Sequence, residues 1–200
     1  MTLVYIHADN NLSKAAKEAV TYAKKLGDNI TVITSGKLGN DILAQIGEYG
    51  ASSVLVDRSV SSDDTQQLVD LIASATEKTG ADTIIFSHDL IAKAVAPRLS
   101  VRLKAGLVSG ATDVPNSDGA VRVNVFSGKA YGFVKVNSAK RIISLLPNSF
   151  QPEVNGSACS IEEYTSGTGG GRINLVTTKK PEGEIPLPEA ELVVSAGRGL

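Results

Sequence analysis

Apolar and polar positions follow two alternating rhythms along the first half of the chain. Four short apolar runs predict buried strands, and each is followed by a stretch with apolar residues at helical spacing. The strands are predicted at Leu3–His7, Ile30–Thr34, Val54–Val56 and Thr83–Ser87. The helices are predicted from Asn10 or Asn11 to Lys25, over Gly36–Tyr49, from Asp63 or Asp64 to near Gly80, and over Leu90–Leu103.

Short connections between these elements favour an α/β fold with a three-layer, doubly wound sheet. Alternating strands and helices form a mostly parallel sheet with helices on both faces, because right-handed crossovers carry the chain from one strand to the next. The near-continuous apolar run of the fourth strand agrees with burial on both sides. Pro97 should kink or break the last of the four helices.

The rhythm changes after Leu103. Val121–Phe126 and the stretch 133–137 alternate strictly between apolar and polar residues, which predicts half-exposed strands. Ser127–Lys129 is a turn between them. Together with a further strand at Arg141–Leu146, these segments predict an antiparallel extension at the edge of the parallel sheet.

The last third of the chain divides into a strand, a linker and a second beginning. Arg172–Thr178 predicts one more short strand, whereas the polar stretch before it gives no clear pattern. Lys179–Pro188 is polar, contains three prolines and is typical of an interdomain linker. The apolar run Leu192–Val194 predicts a strand that enters a small-residue turn at Ser195–Gly199. Such a strand and turn usually open a new α/β unit.

Composition and charge narrow the class of protein. The chain has 200 residues, of which 42% are hydrophobic, and its formal net charge is −1. Its charges are scattered without runs, so we expect no nucleic-acid partner. No apolar run approaches the roughly 20 residues that span a bilayer, so we expect no membrane insertion. Cys159 is the sole cysteine and has no local context that would activate it. These features predict a cytoplasmic protein without a metal site.

Two histidines and one local cluster could carry chemistry. His7 and His88 each follow a strand, at the edge of the sheet where doubly wound proteins bind ligands. Two histidines without a third ligand more often form local hydrogen bonds. Ser87, His88 and Asp89 have the residue types of a hydrolytic triad, but adjacent side chains point in different directions and cannot form the relay. Ser87 or Asp89 is expected to cap the next helix, and no catalytic residue is predicted.

Two glycine-containing turns could contact a ligand. Gly36–Gly39 lacks both the Walker pattern and the third glycine of a dinucleotide fingerprint, so we interpret it as an ordinary turn. The better candidate comprises Gly197, Arg198 and Gly199. The two glycines allow close approach of the backbone to a ligand, and the arginine offers a planar cation that suits phosphate.

The closing stretch E-L-V-V-S-A-G-R-G-L resembles the V-V-S-G-G-R-G-L motif of the electron transfer flavoprotein α subunits, the FixB-like family. Ala94–Leu99 is similar to the family's L-P-R helix, and the turn 127–130 to its Y-A-G-N-A turn. Arg141–Phe150 resembles V-x-T-V-R-P-T-A-F. Leu146 stands where the family usually has Arg, and Ala196 where it usually has Gly. The resemblance covers nearly the whole chain.

The resemblance implies a division of the chain into three parts. Residues 1–180 would form the N-terminal α/β domain, which is similar to adenine-nucleotide hydrolases and packs on a β subunit. Residues 181–188 would be the linker, and 189–200 the first strand and turn of an FAD-binding domain that the sequence does not contain. Arg198 would contact FAD with Gly197 and Gly199 beside it, but only in the intact protein, and this chain alone would bind neither FAD nor AMP.

The family carries electrons and is not an enzyme in its own right. The resemblance implies that FAD accepts electrons from acyl-CoA-type or other dehydrogenases and passes them to a quinone reductase or another acceptor.

Two other functions compete with this one. A stand-alone adenine-nucleotide-binding module of the universal-stress type would need a glycine-rich phosphate loop, which the sequence lacks. An ATP pyrophosphatase would need Ser-Gly-Gly-x-Asp-Ser after the first strand, where His7-Ala8-Asp9-Asn10 stands. The third reading is an interaction module without a ligand of its own.

Overall fold

The fold is built from four helices and nine strands. The structure, a computed structural model, describes residues 1–7, 11–167, 169, 171, 173, 176–177, 187, 190 and 192–199. In chain order its elements are β1 Thr2–Tyr5, α1 Lys14–Leu26, β2 Ile30–Ser35, α2 Asn40–Glu48, β3 Ser53–Asp57, α3 Thr65–Thr79, β4 Thr83–Ser87, α4 Leu90–Leu103, β5 Gly106–Ala111, β6 Ala120–Val125, β7 Ala130–Lys135, β8 Arg141–Leu145 and β9 Ser160–Glu163.

The described strands form one sheet in the order β7-β6-β5-β8-β4-β1-β2-β3-β9. β1 pairs in parallel with β2 on one side and with β4 on the other, so the winding direction reverses between β1 and β4. β6 and β7 pair antiparallel at one end of the sheet. The prediction of a doubly wound, mostly parallel α/β sheet with an antiparallel edge extension is confirmed.

The helices cover opposite faces of the sheet. Val4 and Ile85 point to the face on which α1 and α2 pack, with Val20 and Leu43 in the same buried cluster. Their neighbours Leu3, Tyr5, Ile84 and Phe86 point to the face covered by α3 and α4. Because both faces are covered, the central strands are apolar at every position, as the sequence pattern indicates.

The predicted position of one strand is wrong. Arg141–Leu146 was expected at the antiparallel edge, but β8 is an interior strand that pairs in parallel with both β4 and β5. Its residues from Ile142 to Leu145 are buried. An uninterrupted apolar run suits a strand covered on both faces, and the alternating β6 and β7 form the edge without it.

Two strands have no counterpart in the predictions, and one predicted strand falls largely outside the described residues. β5 contains two glycines and β9 is mostly polar, so neither shows a strand pattern. β9 pairs in parallel with β3 and closes the end of the sheet opposite β7. Of the predicted strand 172–178, only 173, 176 and 177 are described, and none of these is in a strand.

The helix boundaries follow their capping residues. α1 is capped by Ser13, whose hydroxyl accepts from the Ala16 N–H at 3.2 Å, and not by Asn10 or Asn11 as expected. Asp64 caps α3 and Asp89 caps α4, as predicted. Pro97 does not break α4, which runs on to Leu103. Its ring lies on the exposed side of the helix, where the loss of one backbone hydrogen bond is tolerated.

Two glycines allow the chain before β9 to cross α2 at close range. A Cβ atom on Gly47 would lie 2.4 Å from the Ser157 carbonyl oxygen and 2.6 Å from the Cys159 nitrogen. A Cβ atom on Gly156 would lie 2.0 Å from the Gly47 oxygen. Since these neighbours are backbone atoms, they cannot rotate away. The crossing therefore requires glycine at both positions.

Gly47→Ala should destabilise the domain, although alanine is ordinarily the better helix former. The added methyl group must displace the segment before β9, and we expect a loss of about 1–3 kcal/mol in the free energy of unfolding. Gly39→Ala is the matched control, because a Cβ atom there meets nothing within 4 Å. Urea unfolding followed by circular dichroism measures both. Equal stability of Gly47→Ala and the unaltered protein would show that the crossing is loose.

Candidate functional site

The turn predicted to contact a ligand lies exposed near the end of the chain. Gly197, Arg198 and Gly199 are all exposed, and Arg198 makes no hydrogen bond or ion pair with the described residues. Its guanidinium is therefore available to an anion. The structure keeps this turn apart from His7 and His88.

The strand predicted before this turn does not form in the structure. Leu192, Val193 and Val194 have no strand partner and are largely exposed. A strand needs a neighbour for its backbone groups and a surface that buries its side chains. The ordered sheet offers neither here, because its described edges are β7 and β9. Three consecutive exposed apolar side chains are costly in water, which fits a segment whose packing partner is another part of the protein.

The crevice between β1 and β4 is small. It is bordered by Ile6 and His7 after β1, by Ser87 and Asp89 after β4, and by the first turn of α1. The described residues leave a cavity of about 20 Å³ there, which is enough for one water molecule. A wider surface depression of about 520 Å³ lies elsewhere, along α3 beside Arg98.

His88 has a structural role at this crevice. Its Nδ1 lies 2.9 Å from Ser144 Oγ, and its backbone N–H donates to the Leu145 carbonyl at 2.7 Å. Burial lowers the pKa of His88, as does the charge of Lys93, so the ring is neutral at neutral pH. These contacts join the end of β4 to β8, which is the local hydrogen bonding that the sequence favoured over a metal or catalytic role.

The remaining polar groups at this edge also hold the fold together. Asp89 accepts from the Ala92 N–H at 2.8 Å and caps α4, so it does not face the His88 ring as a triad would require. The buried hydroxyls of Tyr5 and Ser35 are neighbours but do not form a regular hydrogen bond with each other. Burial raises the pKa of Tyr5 far above its ordinary value, so it stays neutral. Among the described residues, no three histidine, cysteine or acidic side chains converge on a possible metal site.

The turn Gly36–Gly39 is occupied by Arg58. The Arg58 guanidinium donates to the Leu38 carbonyl at 2.6 Å and to Asn40 Oδ1 at 3.0 Å. Its Nε donates to both carboxylate oxygens of Glu163 on β9, at 2.9 and 3.0 Å. One arginine thus joins the turn before α2 to the edge strand, and the turn serves the fold, as interpreted from the sequence.

A buried carboxylate, Asp57, holds the segment that follows β9. The backbone N–H and hydroxyl of Ser166 donate to Asp57 Oδ2 at 2.8 and 2.7 Å. Those of Ser59 donate to Oδ1 at 3.0 and 2.6 Å. Burial raises the pKa of Asp57, but these four hydrogen bonds outweigh it and hold the pKa below its usual range. Asp57 is therefore ionised and fixes residue 166 at the end of β3.

Further contacts continue this attachment along α3. We call the segment 164–173 the strap. The Tyr164 hydroxyl lies 2.6 Å from Ser74 Oγ, Gln67 Nε2 donates to the Gly169 carbonyl at 3.0 Å, and the Ile173 N–H approaches Asp64 Oδ2 at 3.4 Å. Asp64 also caps α3 through its other oxygen. The strap leads toward residues 192–199 and sets where the chain leaves the domain.

Sequence reasoning missed both Arg58 and Asp57. A charged residue directly after the apolar strand Val54–Val56 was the available signal, because the ends of parallel strands collect polar groups. Their partners Glu163 and Ser166 lie more than a hundred residues away, in a part of the chain without a clear pattern. Cys159 is half-buried in the loop before β9, and burial raises the pKa of its thiol, so it is unreactive as expected.

A family model described as "Electron transfer flavoprotein domain" matches residues 2–174. The chain belongs to the electron transfer flavoprotein family. The resemblance found in the sequence motifs is thereby confirmed.

Electron transfer flavoprotein α subunits are also similar to this chain over almost its whole length. It is 27% identical to the α subunit of Bacillus subtilis, covering 96% of this chain and 62% of the relative. It is 24% identical to the probable mitochondrial α subunit of Caenorhabditis elegans, covering 97% and 60%. The α subunit of Syntrophomonas wolfei is 25% identical, covering 96% and 62%. The chain thus spans about three fifths of the length of these curated relatives.

The electron transfer flavoprotein motifs occupy structural positions in this domain. Ala94–Leu99 lies within α4, where Arg98 donates to Thr65 Oγ1 at 3.0 Å and ties α4 to the start of α3. The Ser-Gly turn between β6 and β7 has positive φ at residues 126–128, a conformation that favours glycine. Phe150, the last residue of the third motif, packs edge-on against Tyr22 with 5.0 Å between ring centroids.

Asp57→Asn should release the strap. The amide loses the charge and turns a donor toward Ser59 or Ser166, so we expect faster chymotryptic cleavage after Tyr164 and a lower melting temperature. Because the folded-state pKa of Asp57 is depressed, its stabilisation is present above the unfolded value of about 3.9 and is lost as the pH falls through the folded value. The melting temperatures of variant and unaltered protein should therefore converge in acid.

Asp63→Asn is the matched control for this test. It removes the same charge from an exposed side chain in the loop before α3, whose own backbone N–H contacts Ser61. If both variants are cleaved at the same rate as the unaltered protein, Asp57 does not hold the strap.

Proposed function

We propose that this chain is the N-terminal scaffold domain of an electron transfer flavoprotein α subunit, and that it docks a β subunit. The observation that carries the proposal is the family match over residues 2–174. That range coincides with the α/β domain and the strap, and it stops before the exposed turn at Arg198. Residues 1–180 are then a domain with a complete core, 181–188 a linker, and 189–200 the entry to an FAD-binding domain.

The residues at the end of the chain fit one part of an FAD site. Arg198 is exposed between two glycines, so its guanidinium can donate to a pyrophosphate or to reduced flavin without giving up another partner. The exposed run from Leu192 to Val194 is suited to join a second sheet. Among the described residues, nothing else surrounds this turn, so FAD is held mainly by the rest of the protein.

The domain itself carries no chemistry in this proposal. Bound flavin supplies the redox chemistry, and the protein supplies position and charge. The α subunit accepts electrons from acyl-CoA-type or other dehydrogenases and passes them to a quinone reductase or another acceptor. We place the protein in the cytoplasm. Among the described residues, no helix is long and apolar enough to cross a membrane.

The alternative of a stand-alone adenine-nucleotide-binding module has less support. The cavity at the reversal of the sheet measures about 20 Å³, whereas ligand pockets usually measure about 300–1,000 Å³. The turn before α2, which could have held a phosphate, is occupied by Arg58.

The isolated 200-residue chain should purify without flavin. We expect flavin absorbance far below one per chain, even after incubation with FAD, because most of the site is contributed by other residues. The longer protein that continues past Leu200 should retain FAD. A yellow 200-residue chain with one flavin each would contradict the proposed division.

Arg198→Ala in the longer protein should weaken FAD retention by about 1–3 kcal/mol, the cost of losing one charged hydrogen bond. Equilibrium dialysis measures the change. Lys37→Ala removes an exposed cation from the α/β domain and serves as the control. Unchanged retention in Arg198→Ala would show that this arginine does not contact the flavin.

A further inference from the structure

The exposed aromatic side chains of the domain are concentrated in the β6–β7 hairpin. All nine tyrosine and phenylalanine residues lie in the described part of the chain, and three of them are exposed. These three are Phe126, Tyr131 and Phe133, whose side chains are 80, 63 and 64% exposed. Three large apolar side chains within eight residues are unusual on a surface that stays in water.

Two of these rings share a face that no helix covers. Tyr131 pairs with Asn124 and Phe133 pairs with Arg122, so these four side chains lie on the same side of the hairpin. The opposite side carries Val121 and Val123, which are buried in the cluster of α1 and α2. We call the uncovered side, completed by Lys135 at the end of β7, the hairpin face. On that side, α4 packs on β4, β5 and β8.

The hairpin face has an ordered arrangement. The Arg122 guanidinium lies 5.0 Å from the centroid of the Tyr131 ring and its Nη2 lies 3.4 Å from Asp113 Oδ2. Arg122 Nε also donates to Thr112 Oγ1 at 3.2 Å. These contacts hold the cation and ring in place before a partner arrives, which lowers the entropy cost of binding.

Positive charge is concentrated in the same part of the chain. Residues 98–141 contain eight lysines and arginines and two acidic residues, a net charge of +6, although the whole chain carries −1. Lys104, Lys129 and Lys135 are exposed and have no ion-pair partner among the described residues. By contrast, Glu153, Glu162 and Glu163 toward the opposite end are paired with Lys25, Lys78 and Arg58. The hairpin end therefore presents unbalanced positive charge around two aromatic rings.

We propose that the β subunit docks on the hairpin face, and that it does so with an acidic surface surrounding an apolar patch. This inference rests on the proposed function, which supplies the partner. The charge requires an acidic partner, and the rings at its centre require an apolar contact, which suits a protein interface. The chain leaves the domain along the strap, beside the opposite edge of the nine-stranded sheet. That edge is roughly 40 Å from β7 at the usual strand spacing, which leaves the hairpin face open to a separate subunit.

The test measures binding of the purified β subunit from the same organism to the full α chain by isothermal titration calorimetry at low and high salt. Tyr131→Ser and Phe133→Ser should each weaken affinity by at least about tenfold. Lys135→Glu should weaken it most at low salt and reduce its salt dependence. Leu90→Ser and Val154→Ser alter equally exposed apolar residues elsewhere, and Lys37→Glu reverses an exposed charge elsewhere. These controls should bind within about twofold of the unaltered chain.

Two results separate the inference from the proposed function. If the unaltered chain binds the β subunit and the hairpin-face variants bind equally well, the docking surface is wrong while the proposed function stands. If the unaltered chain does not bind the β subunit at all, the proposed function fails, and the inference fails with it. Binding of a single-stranded oligonucleotide that the same variants abolish would identify a nucleic-acid surface and overturn the inference as well. Unchanged thermal melting in each variant establishes that the fold is intact.

Discussion

The structure depends on one constraint: strands that are apolar on both sides must be covered on both faces. Four helices are available, and they cover the strands from β3 to β5 in two layers. β6 and β7 lie beyond this cover and have alternating sequences, with valines toward the core and polar or aromatic residues away from it. The exposed hairpin face is thus a consequence of how far four helices extend across a nine-stranded sheet.

The same constraint explains how much of the fold could be predicted from sequence. The elements from β1 to α4 were found because apolar periodicity, caps such as Asp64 and short connections agree with each other. β5, β8 and β9 were missed or misplaced because their positions depend on pairing with distant strands. β8 is inserted between β4 and β5, and no local signal in Ile142–Leu145 specifies that neighbourhood.

The candidate sites divide in the same way. Asp89 and His88 were interpreted correctly as structural, since capping and local hydrogen bonding are short-range properties. Asp57 and Arg58 were missed because they hold residues from the far end of the chain. These two charged groups fasten β9 and the strap to the sheet, and so determine the side from which residues 189–200 leave the domain. A scaffold that positions an FAD-binding region needs this kind of fixed exit.

Hydrogen–deuterium exchange of the full α chain, with and without the β subunit and FAD, tests the central claim most directly. The account predicts that the β subunit slows exchange in residues 120–135, and that FAD slows exchange in residues 190–199. The core strands β1, β2 and β4 should show no change with either. Protection by FAD around the β1–β4 crevice, with none at Arg198, would contradict the account.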